Sequence, residues 1–373
     1  TVAIGESAEA RRDQDIAIGY KSVTKGGDGV SIGSVAKTNG ENSIAIGSNA
    51  LVEVAENKRA GTNSIAMGRY AKALEKEVIA IGTEAKAEAE NGVAIGKSAQ
   101  VSSSNSVALG KDAKAQGGNS IAIGYGATTE LDGSNNWQAV AVGQGAKAKH
   151  QNTTALGGYA QAYGQHSTAV GADATVQKSA TGGASFGKGA TVSAVNGLAL
   201  GYGASAGVEG SVALGAESVA GTAANTNGWD PATSRRNNYA NVVSGATASK
   251  SGLGSVSVGA AGKLRQITNL SAGTQDTDAV NVAQLKAVNL KIAGNTTDAA
   301  GADVRLHDQT LTVKGDGTFL TSTANNNTIT MDLTQSAKNT LNSVFTTTFK
   351  GDNDGVVTPT KAAPQVEVTG SKA

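Results

Sequence analysis

The chain has 373 residues, 50 of them glycine, three prolines, no cysteine and a formal net charge of +1. The missing cysteine excludes disulfides and thiol catalysis. The near-neutral charge and 3% aromatic content argue against a nucleic-acid partner, which would want a basic face or stacking platforms. No apolar run reaches the roughly 18 residues of a transmembrane helix.

Sixteen short apolar runs ending in glycine pace the first 259 residues, from Gly5 and Gly19 to Gly215 and Gly259. Eleven of the fifteen intervals are 14 residues; the others are 21, 19, 16 and 44. A short fixed period signals a repeat architecture, and stacked repeats make a surface rather than one pocket. The clearest copy is Asn119-Ser120-Ile121-Ala122-Ile123-Gly124. Its alternation is that of a strand, and the glycine marks a corner. A second run, such as Ala113-Lys114-Ala115, alternates alanine with polar residues. One unit therefore holds two short strands and two turns, one coil of a parallel β-solenoid. A helix is excluded, since each interior glycine costs about 1 kcal/mol. The alternation predicts a core rank through Ile44, Ile46, Ile65, Met67, Ile121 and Ile123, with a row of alanines outside that allows another chain to approach. At about 4.8 Å per coil, sixteen coils give a rod of roughly 75 Å. Its core is too thin for a lone chain of this width, so side-by-side association is expected.

The long intervals predict loops at about 51–62, 128–138 and 221–254. Rigid scaffolds commonly carry function on loops. Trp137 lies in the second, and Trp229, Arg235, Arg236 and Tyr239 in the third. These five are the candidate ligand-binding residues, either as exposed anchors for a partner or, for the tryptophans, as covers folded back over a coil edge or subunit seam.

After Gly259 the pattern changes. Thr277 or Asp278 is placed to cap a helix running from Ala279 to about Ile292. Val282, Leu285, Asn289 and Ile292 have the 3-4-3 spacing of a coiled-coil seam. Asn289 would be a register device within it, or one of three amides ringing an anion on a trimer axis. Period-2 alternation returns at Val304 and Leu306, at Leu311 and Val313, and at Ile329, Met331 and Leu333. Turns are expected at Gly315-Asp316-Gly317 and Asn325-Asn326-Asn327. Ala337, Leu341 and Val344 suggest a short helix. The expected organisation is a head over 1–262, a neck with a short coiled coil over 263–293, a β-rich domain over 294–350 and a polar tail over 351–373.

The Asn-Ser-Ile-Ala-Ile-Gly repeats at 14-residue spacing resemble the YadA-like head of trimeric autotransporter adhesins. Arg265-Gln266-Ile267-Thr268-Asn269-Leu270, followed by Asp276-Thr277-Asp278-Ala279-Val280-Asn281-Val282-Ala283-Gln284-Leu285, resembles that family's neck. Together the two signals cover about residues 1–292. The resemblance implies a mainly β fold: a left-handed parallel β-roll head, homotrimeric, with a neck and stalk. It also implies a bacterial cell-surface protein of virulence, anchored in the outer membrane only through a C-terminal region outside this sequence. Its partners would be a host extracellular matrix protein (collagen, fibronectin or laminin), a host cell-surface receptor or other bacteria. In such heads the repeats are implicated in collagen binding, which maps onto the ranks of Ile44, Ile65 and Ile121. The three insertions depart from a uniform roll and leave ligand identity open. The chain starts inside a repeat at Thr1-Val2-Ala3-Ile4-Gly5, so an excised fragment is expected.

Signs of enzymatic chemistry are few, and neither a cofactor nor a metal is expected. Gly182 to Lys188 nearly matches a phosphate-binding loop, but Gly189 stands where Ser or Thr should hold magnesium, and Phe186-Gly187 is one more repeat corner. Of His150, His166 and His307, the first two are 16 residues apart and placed to approach on adjacent coils, but no further metal ligands stand out beside them. A solenoid acyltransferase would show a hexapeptide period and a cleft histidine, and neither is present. The remaining alternative is a structural spacer whose binding tip lies elsewhere in a longer chain.

Overall fold

The computed structural model describes residues 1–53, 63–130, 138–226, 229–230, 235–236, 252–275, 278–292, 302–305, 309–326, 328–344, 349–350 and 356–357. The chain divides into two compact units, Thr1–Thr268 and Asn269–Ala373.

Among the described residues, the first unit is a solenoid of two parallel sheets. Three-residue strands such as Val107–Leu109 and Ile121–Ile123 stack into a 16-stranded sheet. Two-residue strands such as Lys114–Ala115 stack into a 15-stranded sheet against it. Each strand pairs in register with its equivalent one coil on: Val107 with Ile121, Ala108 with Ala122, Leu109 with Ile123. The insertions leave this ladder intact. Val140 follows Ile121 directly in the sheet, and Val256 follows Val212. Leu51–Val52 and Thr128–Thr129 are short strands of the solenoid, so the first two insertions begin later than the sequence suggests.

The pleat is the reverse of the sequence expectation. Ala45, Ala66, Ala108, Ala122 and Ala141 are fully buried, while Met67 and Ile121 are 40% and 38% exposed and Ile44, Ile46, Ile65 and Ile123 are half-buried. The core rank is alanine, and the branched side chains stand outside. The reason is the width of the coil: its two walls are too close for anything much larger than a methyl group. Where Val101, Val176 and Val192 enter from the short strand, a glycine stands against each of them. A Cβ on Gly92 would lie 2.9 Å from Val101 Cγ1, and one on Gly197 would lie 2.8 Å from Val192 Cγ1. Volume is conserved coil by coil, as close packing demands.

The repeat motif now has a physical account. The asparagine takes a left-handed corner, as at Asn105 (φ 56°) and Asn119 (φ 53°). Such corners recur every seventh residue through Asn91, Ser98, Asn105, Asp112 and Asn119, two per coil. Asparagine suits them because its short polar side chain tolerates this conformation. The serine is buried and satisfies a corner carbonyl: Ser106 Oγ donates to Gly117 O at 2.8 Å. The glycine closes the strand at φ near +130°.

Val35 breaks the corner rule, a β-branched residue at φ 57°. Val35→Asn is expected to raise stability by about 0.5–1 kcal/mol, read as a higher thermal midpoint. Asp15 breaks the serine rule. It is fully buried, and its carboxylate accepts from Arg12 N at 2.9 Å, Gly27 N at 3.1 Å and Gly29 N at 3.2 Å. Asp15→Ala strands those donors, so a loss of about 3 kcal/mol is expected in chemical denaturation.

The last coil is closed by Arg265. Its Nη1 donates to Ser218 Oγ at 3.0 Å and to Val258 O at 2.5 Å, and its Nη2 donates to Ala216 O. The guanidinium lies over Gly215, within 3.2 Å of where a Cβ would stand. It thus satisfies carbonyls that a further coil would otherwise meet.

In the second unit, helix α1 spans Val282–Lys286 and is capped by Asn281, not by Asp278. Asn281 Oδ1 accepts from Gln284 N at 2.9 Å, and Gln284 Oε1 accepts from Asn281 N at 3.2 Å, a reciprocal capping box. Gln284 also clamps Gly273 through both its backbone groups, at 3.0 Å and 3.1 Å. Asp278 instead accepts from Thr274 N and Gln275 N, and these backbone bonds hold its carboxyl below the usual range. Thr277 lies outside the described residues.

The helix is shorter than the heptad spacing predicts. Val282 and Leu285 sit on it, exposed, but Asn289–Ile292 is a strand paired antiparallel with Ala302–Arg305. A five-residue helix has no stability of its own without a packed seam, and the single chain offers none. Farther on, Leu320–Asn325 and Thr328–Leu333 form a hairpin whose turn includes Asn326 at φ 52°. Leu311 and Val313 belong to no strand, whereas Gln335–Val344 is the expected helix α2. Leu306 lies outside the described residues. Asp316 Oδ1 accepts from the backbone of Thr318, Phe319 and Leu320, forming the expected turn.

Candidate ligand-facing surfaces

The inverted pleat gives the solenoid two unlike outer faces. The first and third residues of the three-residue strands point outward, making a ridge about 70 Å long that is apolar except at Thr154 and Thr168. Ile32, Met67, Leu109, Ile121, Leu156, Leu200 and Leu214 each leave more than a third of their surface in solvent. An apolar face of this size exceeds what soluble monomers usually expose and marks an interface.

The short-strand face is polar. Lys72, Lys86, Gln100 and Lys114 occupy one outward rank on successive coils. The corner beside it carries Tyr70, Glu84, Ser98 and Asp112, all but Ser98 bulky or charged at left-handed φ. Between the two ranks runs a groove of about 520 Å³ along the solenoid axis. Exposed tyrosines recur near the glycine corners at Tyr20, Tyr70, Tyr125, Tyr159 and Tyr202. A cation stands over the ring of three of them: Lys21 on Tyr20 at 5.0 Å, Arg69 on Tyr70 at 5.2 Å and Lys111 on Tyr125 at 5.0 Å. The sequence reading missed both ranks. The signal for the lysines was present as Lys37, Lys72, Lys86, Lys114 and Lys147, each four residues after a corner glycine; the tyrosines fall one or two residues after theirs.

Of the sequence-derived ligand residues, Trp137 and Tyr239 lie outside the described residues. Trp229–Asp230 and Arg235–Arg236 form a small antiparallel ladder with Trp229 opposite Arg236. His166 pairs with Asn152, Nδ1 to Nδ2 at 3.2 Å, and Thr153 Oγ1 donates to His150 O. No group of three potential metal ligands occurs among the described residues. The near-phosphate loop is solenoid: Ala184–Phe186 is a long strand, and Gly187 is its corner at φ 131°.

Known proteins share this pattern. The family described as YadA head domain repeat matches residues 1–22, 25–50, 60–85, 79–99, 102–127, 138–160, 151–174, 179–204 and 193–218, together more than half of the chain. The coiled stalk of trimeric autotransporter adhesin matches residues 266–308. The chain belongs to the trimeric autotransporter adhesins. Two relatives in this family are similar over shorter stretches. Autotransporter adhesin EhaG of Escherichia coli O157:H7 is 47% identical over 58 residues, 16% of this chain and 4% of that protein. Autotransporter adhesin BadA of Bartonella henselae is 46% identical over 70 residues, 18% of this chain and 2% of that protein. The matched stretches are thus a small part of these adhesins. A crystal structure of the collagen-binding domain of Yersinia adhesin YadA aligns with 70% of this chain and 83% of its own, at 20% identity and a TM-score of 0.19. The solenoid assignment therefore rests on the strand pairing above. The stalk match covers Val282, Leu285, Asn289 and Ile292, the residues whose spacing suggested a coiled coil.

Proposed function

We propose that this chain is part of the exposed passenger of a bacterial surface adhesin, assembled as three parallel copies with their apolar ridges turned inward. The observation that carries this reading is the half-exposed long-strand face, continuous over the solenoid. Water is a poor partner for it, and a second and third copy of the same ridge are the self-complementary solution. Family membership supports the trimer and the adhesive role. In this arrangement Ile44, Ile65 and Ile121 belong to the subunit seam. Ligand then meets the short-strand face, the corners and the insertion that contains Trp229, Arg235, Arg236 and Tyr239.

The proposed ligand is a host matrix protein or host cell-surface receptor, bound at many equivalent sites. Three faces per head and many heads per cell turn modest contacts into firm attachment. Immobilised collagen, fibronectin and laminin test this reading directly. Saturable binding to one of them is expected, with loss of that binding when residues 221–252 are deleted and the trimer is kept. A trimer that binds no matrix protein or host cell would instead identify a spacer that carries a tip located elsewhere.

A further inference from the structure

The groove on the short-strand face has a geometry that selects among ligands. It runs along the solenoid axis, across the strands, so its contacts repeat at the strand spacing of about 4.8 Å. An extended peptide presents same-side groups only every second residue, about 6.6 Å apart, and falls out of step with that period. An extended pyranose chain advances by close to one strand spacing per ring and stays in step, one ring per coil.

The two walls differ in chemistry. One carries Lys72, Lys86 and Lys114, interrupted by Gln100. None of these lysines is in an ion pair among the described residues. The other wall carries Glu84, Ser98 and Asp112, groups that accept from or donate to hydroxyls. Ser98 Oγ already donates to Glu84 Oε2 at 3.3 Å, and Lys111 Nζ lies 3.6 Å from Asp112, so this wall is ordered and partly neutralised. Tyr70, 43% exposed and with Arg69 over its ring, closes one end of the groove. Three ammonium groups against two carboxylates leave a net of only +1. A densely sulfated chain would meet Glu84 and Asp112 unfavourably, whereas a polymer with carboxylates on one edge and hydroxyls on the other matches both walls.

We propose that this groove binds a linear uronate-bearing polysaccharide, with its carboxylates on the lysine wall and its hydroxyls on the Glu84–Asp112 wall. The proposal deepens the adhesive reading and rests on it in one respect: inward-facing apolar ridges leave the short-strand face outermost.

Hyaluronan oligosaccharides, titrated calorimetrically into the whole protein, are the probe, with dextran and heparin as comparators. Hyaluronan is expected to bind, dextran not, and heparin more weakly than hyaluronan. Lys86→Gln and Lys114→Gln, two coils apart as the alternate-ring carboxylates of hyaluronan are, with Lys72→Gln beside them, are together expected to weaken hyaluronan about tenfold. Lys21→Gln, Lys25→Gln and Lys188→Gln together remove equal charge outside the groove and are expected to leave binding unchanged. Absence of hyaluronan binding, equal weakening by both triple variants, or tighter binding of heparin would each overturn the proposal. A light-scattering mass on the same sample separates the two readings. A trimer without hyaluronan binding overturns the groove alone, and a monomer overturns the assembly.

Discussion

Gly110→Ala is expected to unfold the solenoid locally and lower its stability by at least about 3 kcal/mol. Gly110 sits at φ +132°, a region that side chains rarely adopt. A Cβ there would lie 2.6 Å from Gly124 O and 2.8 Å from Gly124 C. Neither side can give way. Gly110 N is bonded to Ile95 O at 2.8 Å and Gly124 N to Leu109 O at 2.8 Å, so both backbones are fixed by their ladder. Strain and clash therefore add. The corner glycines from Gly5 to Gly201 share this environment, each with its neighbour's carbonyl within 2.7 Å of the missing Cβ. Gly118→Ala is the control. Nothing lies within 4 Å of its Cβ position and its φ is ordinary, so thermal denaturation of that variant should match the native protein. Equal stability of Gly110→Ala and the native protein would refute the stacked-corner geometry.

Ala122→Leu is expected to be the other severe substitution, costing about 3 kcal/mol through overpacking. Ala122 is fully buried between Ala108 and Ala141, its register neighbours, in a coil whose short strand already buries Thr129. The neighbouring Ile121, 38% exposed, should behave in the opposite way. Ile121→Lys is expected to leave the fold of the isolated chain within about 0.5 kcal/mol of native, as surface changes do. Urea denaturation of the two variants, each in a Met67→Lys, Leu156→Lys background that keeps the chain single, decides which rank is core. If Ile121→Lys unfolds the chain and Ala122→Leu does not, the pleat runs the other way.

That pair of residues also shows where the sequence is ambiguous. The 14-residue period, the glycine corners and the two strands per coil are legible, because each leaves a positional mark that no other fold explains. Which face of the strand is inside is not. Ala122 and Ile121 are both apolar, and alternation alone favours the larger residue for the core. The decision belongs to coil width, visible only in pairs such as Gly92 with Val101, where a wall empties to admit a valine. The left-handed corners were half legible. Asparagine at Asn105 and Asn119 hinted at them, but Val35, Tyr70 and Glu84 hold the same conformation without any such propensity. There the stacked ladder imposes the backbone and the residue follows.

In the neck, the 3-4-3 spacing of Val282, Leu285, Asn289 and Ile292 predicts one helix, but the helix ends at Lys286 and Asn289–Ile292 pairs as a strand with Ala302–Arg305. The lysine rank was overlooked because it repeats at the period of the scaffold itself and so resembles decoration of the repeat, and the exposed tyrosines because they are scattered over distant coils.

If alanine fills the roll and the branched ridge seals one copy against another, charge on the ridge must separate the copies. The most direct measurement is the light-scattering mass of the native protein beside a variant carrying Met67→Lys, Ile121→Lys and Leu156→Lys. Three charges per chain in a shared seam cost several kcal/mol each way they are buried, but nothing on a free surface. Three chain masses are expected for the native protein and one for the variant, with the β-rich circular dichroism unchanged. A native protein of one chain mass, or a variant that remains trimeric, would contradict it.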